Sequence, residues 1–147
     1  MSTSSERIDD YLARYAATLT DLDAEAGSAL WSVPGMIADD RASLVVESRE
    51  AMAEGVKQSY PLYQQLGLAS VEHELLEIEE LSDRLVLVRV RWLFLDDRAD
   101  LLTDTFSYYL LREEEDDLRA VVCVETDAAE KLQALADERG VELPPSS

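Results

Sequence analysis

Between Ala69 and Thr126 the chain consists almost entirely of β-like runs joined by short acidic turns, and this constrains the fold more than any other feature. The runs are Val71 to Glu80, Arg84 to Leu95, Leu102 to Arg112 and Leu118 to Thr126, separated by Ser82-Asp83, Asp96-Asp97 and Glu113 to Asp117. Parallel neighbours need long crossovers, so connections this short predict an antiparallel meander. In the second run Val86, Val88, Val90, Trp92 and Phe94 alternate with Leu85, Leu87, Arg89, Arg91 and Leu93. One face is wholly apolar and must be covered, while the other is mixed.

The first half supplies the cover. Ile8, Tyr11, Leu12, Tyr15 and Leu19 recur at helical spacing, with Thr3 or Ser5 as the expected cap. Thr20, Asp21 and Asp23 signal a second, short helix with Leu22, Ala26 and Leu30 on its inner face, ending near Trp31. Pro34-Gly35 is expected to break the chain before a hairpin made of Met36-Ile37-Ala38 and Ser43-Leu44-Val45-Val46 around Asp39-Asp40-Arg41. Ser48 begins a third helix that carries Met52, Val56, Tyr60 and Tyr63 inward and stops at Gly67, with a kink or break expected at Pro61. Asp127 to Arg139 reads as a last helix through Ala128, Leu132 and Leu135, ended by Gly140 and followed by a tail.

At 147 residues the chain has the size of one domain with one core, taken as residues 1–147. A formal charge of −19 opposes binding to nucleic acid or to an anionic membrane surface. Neither a leader nor an apolar run of membrane-spanning length is evident, and the one cysteine, Cys123, sits among valines as a packed strand residue. These features predict a cytoplasmic protein. The basic residues are eleven Arg against two Lys, which fits a high-GC genome or a surface adapted to salt.

Two helices, a short strand pair, a long helix and a four-stranded meander form the element order of the nuclear transport factor 2-like (SnoaL-like) superfamily. The stretch Leu81-Ser-Asp-Arg-Leu-Val-Leu-Val-Arg-Val-Arg-Trp92, with Thr105-Phe-Ser-Tyr-Tyr-Leu-Leu-Arg112 after the next turn, resembles its central hairpin. The resemblance covers roughly residues 5 to 126. It implies an α+β, cystatin-like barrel: a cone-shaped, curved antiparallel sheet around the N-terminal helices and the long third helix, here with an extra C-terminal helix. It also implies a pocket at the open end of the cone and homodimers formed through the outer sheet face, where Leu87, Arg89, Arg91 and Leu93 would lie. The superfamily holds ketosteroid isomerase, scytalone dehydratase, limonene epoxide hydrolase and polyketide cyclases as well as non-enzymatic binding and accessory domains, so fold does not choose between them.

The candidates for chemistry are few. His73, the only histidine, belongs to the side-chain type that exchanges protons near neutral pH; flanked by Glu72 and Glu74, it reads either as a pocket acid or base, or as a surface or rim imidazole paired with a carboxylate. Asp104 shares strand parity with Phe106 and Tyr108. It points into the cone, where desolvation would suit it to acid–base work, or sits in solvent at the strand start. Glu125 has the same ambiguity. Tyr15, Trp31, Tyr60, Tyr63, Trp92, Phe94, Phe106 and Tyr108 form the expected aromatic pocket, suited to a small, largely apolar ligand, with Tyr11 as a further aromatic. No metal site or cofactor is expected: His73-Glu-Leu-Leu-Glu77 lacks the second histidine of a zinc motif, and glycine-rich phosphate loops and Gly-x-Ser-x-Gly are missing. The three functional classes that follow are a binding domain, a general acid–base enzyme and a non-catalytic accessory protein.

Overall fold

The computed structural model describes residues 4–143, in the order α1 (Ser5–Thr20), α2 (Ala24–Ala29), β1 (Trp31–Ala38), β2 (Ser43–Val46), α3 (Arg49–Gln65), β3 (Ser70–Glu80), β4 (Leu85–Leu95), β5 (Leu101–Glu114), β6 (Asp117–Glu125) and α4 (Ala128–Arg139). All six strands join one sheet, β2-β1-β6-β5-β4-β3. The meander β3 to β6 is antiparallel throughout, as its short turns require. The β1–β6 pairing is parallel, because β1 precedes the long α3 crossover and enters the sheet beside its last strand. Irregularities between Leu75 and Glu77, opposite Phe94/Leu95, and opposite Leu110/Leu111 interrupt the ladders and bend the sheet.

The core follows the alternation of β4. Val86, Val88, Val90 and Trp92 are buried against Ile8, Tyr11 and Leu12 of α1 and against Tyr109, Leu111, Leu118, Ala120 and Cys123 of β5 and β6. Each large apolar side chain removed from water in this way contributes about 1.5–3 kcal/mol. A second cluster joins the end of α3 to α4 through Leu66, Leu135 and Ala136, with Leu62, Leu102 and Leu132 packed around them. The last helix therefore belongs to the wall of the domain. Gly140 ends it in the left-handed conformation (φ 66°), the usual use of glycine at a helix C-terminus.

Several local expectations are corrected. Ser4 caps α1, accepting a hydrogen bond from Arg7 N at 3.2 Å; Ser5 is already helical, and Thr3 lies outside the described residues, as does the tail from Pro144. Leu22 adopts φ 53°, separating α1 from α2, so Asp23 is the second cap and Ala24 and Ser28, not Ala26, are buried. The short helix ends at its cap, Leu30, next to Trp31 as expected, and Trp31 itself opens β1. Pro34-Gly35 does not break the chain: β1 runs through it, and the missing proline N–H falls where the register with β6 shifts. Gly35 is needed there, since a Cβ would lie 2.9 Å from Ser32 O and 3.1 Å from Val121 O. Pro61 does not interrupt α3. It is exposed, and the carbonyl it leaves unbonded belongs to exposed Lys57, where water can replace the lost partner. No helix among the described residues is long and apolar enough to cross a membrane.

Candidate functional site

Sheet, α3 and α4 enclose a cavity of about 260 Å³. Tyr15 and Leu19 of α1 reach it from one side, and Met52, Val56, Ser59 and Tyr63 of α3 from another. Trp92, Phe94, Thr105, Ser107, Tyr109 and Glu125 line the sheet wall, while Ala128, Leu132 and Leu135 of α4 close the end. Helical spacing places Met52, Val56, Ser59 and Tyr63 on one stripe of α3, and strand alternation aims Thr105, Ser107 and Tyr109 the same way from β5.

The aromatic part of the wall is held rigidly. Tyr15, Trp92 and Tyr109 form a triangle with ring centroids 5.5 to 6.0 Å apart. Trp92 Nε1 donates to Tyr109 Oη at 3.2 Å, and Trp31 Nε1 donates to Tyr15 Oη at 3.1 Å. Burial raises the pKa of both tyrosines, keeping them as neutral phenols. Cys123 behind them is buried and pushed up to about 12, first by burial and then by the charge of Glu125, so it is not a thiolate nucleophile at neutral pH.

Among the described residues, Glu125 is the only charged one that lines the cavity. Its pKa is raised, first by burial and then by the negative charge of Asp39. Asp39 stays ionised because the backbone N–H groups of Arg41 and Ala42 bond to its Oδ1 at 2.8 and 2.9 Å and lower its own pKa. Across the cavity, burial raises the pKa of the Tyr63 phenol, and the charge of Glu125 adds to the effect. A carboxyl group and a phenol, each with its pKa raised by burial, thus share one apolar chamber.

The structure brings Tyr15, Tyr63, Trp92 and Phe94 to the cavity and leaves Trp31, Tyr60, Phe106 and Tyr108 off it. Trp31 is packed in the core. Tyr60 belongs to another stripe of α3 and lies near Asp23 and Glu25. Phe106 and Tyr108 sit on the outer face beneath the Arg89 guanidinium, at 5.3 and 5.8 Å from their ring centroids. Asp104, of the same parity, faces outward too: the residues of β5 that turn inward are Thr105, Ser107, Tyr109 and Leu111.

Asp104 accepts from Lys131 Nζ at 2.5 Å and Arg91 Nε at 2.7 Å. Lys131 first, and Arg91 with it, lower its pKa, the reverse of what a desolvated general base needs. His73 is not among the residues that line the chamber, although its ring centroid lies 6.4 Å from that of the lining Trp92, and it pairs with a carboxylate as expected, that of Asp9 of α1, Nε2 to Oδ1 at 2.8 Å. A strand neighbour points to the opposite face, so the partner had to come from another element.

The architecture around this chamber places the chain in a family. Residues 3–128 match the family described as NTF2-like protein (DUF6841), and the chain belongs to it. No curated protein matches the sequence. Among solved structures, an NTF-2 like protein of unknown function from Shewanella oneidensis MR-1 is 17% identical with a TM-score of 0.68, covering 84% of this chain and 98% of its own. An NTF2-like protein with a cystatin-like fold from Novosphingobium aromaticivorans is 22% identical with a TM-score of 0.63, covering 88% of this chain and 86% of its own. A ketosteroid isomerase-like protein from Erwinia carotovora atroseptica is 14% identical with a TM-score of 0.61, covering 84% and 97%. At these identities the likeness establishes the cystatin-like α+β fold.

Proposed function

We propose that this domain binds a small, largely apolar molecule in the chamber between the sheet, α3 and α4. The observation that carries this reading is an apolar cavity of about 260 Å³ with polar groups converging on it from separate elements: Glu125 from β6, Tyr63 and Ser59 from α3, and Ser107 from β5. A dry cavity of roughly 150 Å³ accepts benzene, so this one has room for about ten heavy atoms. Binding of small aromatic compounds should alter the fluorescence of Trp92, and Val56→Trp, which fills the chamber, should abolish the change. Compounds that leave the fluorescence and the amide spectrum of the wild type untouched would overturn the reading.

The raised pKa of Glu125 beside a phenol favours a second reading, a general acid–base enzyme, and the ketosteroid isomerase-like relative fits that class of chemistry. Glu125→Gln would then lose turnover. We also infer a homodimer through the outer sheet face, where Leu87, Arg89, Arg91 and Leu93 are half-buried. Sedimentation of the wild type as a monomer at micromolar concentration would remove it.

A further inference from the structure

Resting on the binding reading above, we propose that the chamber takes a small hydrophobic amine in its ammonium form, with the charge set against Glu125. Among the described residues, the chamber's wall carries one carboxylate and no Lys, Arg or His. Among the described residues, no ion pair engages Glu125: the nearby cations go elsewhere, Lys131 to Asp104 and Asp127, and Arg91 to Asp104. A carboxylate in an apolar wall is costly to ionise without a partner, and the protein places no cation there to offset it. A ligand that brings its own cation completes the pair.

The surroundings select the same sign. Outside the chamber, Glu125 borders a groove formed with Asp39, Asp40, Arg41 and Glu130, three acids against one base. Asp39 is the charge that acts on Glu125 most directly, and no cation figures among the influences on it. An anionic ligand would meet Glu125 inside and this acidic rim on the way, with nothing in the wall to receive it. The net charge of −19 adds a long-range attraction for cations over anions. Tyr15, Tyr63 and Trp92 offer ring faces that accept the apolar body of such a ligand and also tolerate its charge.

The test is a matched series of about nine to eleven heavy atoms each, within the room estimated above. 2-Phenylethylamine, 2-phenylethanol and 3-phenylpropionate are titrated calorimetrically into the intact protein at pH 7 and moderate salt. The amine should bind at least about tenfold more tightly than the alcohol, and the carboxylate should give no heat. In Glu125→Gln the ratio of amine to alcohol affinity should collapse to within about twofold. An alcohol that binds as well as the amine, a carboxylate that binds at all, or an amine preference that survives in Glu125→Gln overturns the proposal while leaving the apolar-cavity reading intact. If none of the three binds, both fall. Should the variant not fold, the wild-type series decides by itself.

Discussion

The two faces of the sheet each carry an acidic residue near the end that α4 covers, and the two are treated in opposite ways. On the outer face Asp104 is clamped between Lys131 and Arg91, and its pKa falls. On the inner face Glu125 has Asp39 for its electrostatic neighbour and an apolar wall around it, and its pKa rises. Asp104 is fixed in an ion-pair network that ties α4 to the sheet. Glu125 has no ion-pair partner among the described residues. Both are carboxylic acids; what differs is whether the fold supplies the counter-charge, and on the reading proposed above that separates an acid that holds structure from one kept for a ligand.

Four substitutions sharpen this contrast. The largest effect should come from the inner face itself: Trp92→Ala empties the centre of the aromatic triangle and removes the donor to Tyr109, costing about 3–5 kcal/mol. Outer-face Arg89→Ala should cost less than about 1 kcal/mol. Denaturant unfolding compares the two, and equal losses would dissolve the distinction between faces. Next, Asp104→Asn should destabilise the protein at pH 7 by about 1–2 kcal/mol. Because the folded-state pKa of Asp104 is depressed, its contribution is present above the unfolded value near 4 and disappears as pH falls through the folded one. Wild type and variant should therefore converge in melting temperature at low pH.

The smallest effect should carry the opposite sign. The folded-state pKa of Glu125 is raised, so its favourable contribution is complete below the unfolded value of about 4.3 and is lost as pH rises through the folded one. Glu125→Gln should raise stability at pH 7 by roughly 0.5 kcal/mol and leave it unchanged near pH 3. A melting temperature lower than wild type at pH 7 would mean that Glu125 already has a partner.

The sheet was legible in the sequence where the alternation was strict. Val86 to Phe94 specifies one buried face through its period alone, and the acidic turns forced the meander. Legibility ended where strand direction depended on other elements. Asp104, Phe106 and Tyr108 share one parity, and nothing local says which parity of β5 faces in: it is the pairing of Val88 with Tyr109 and Val90 with Ser107 that turns the odd residues inward. The even residues look apolar enough to be core, yet they stack under Arg89. Glu125 was visible as an acid at a strand end, but its burial depends on α4 folding back over it, a contact between elements. Asp9 as the partner of His73 was likewise beyond any reading of neighbours along the chain.

The parallel pairing of β1 with β6 bears on how the protein is made as well as on how it looks. A strand formed among the first forty residues finds its sheet partner only after nearly all the others exist, with Trp31 aligned to Ala120. While the chain emerges from a ribosome, the hairpin of β1 and β2 has one edge open and its apolar side chains uncovered. Pairing across so long a separation in sequence slows folding, so the chamber is expected to close late. Truncation within β6 would leave a nascent chain with a finished hairpin, a finished long helix and no place to put a ligand.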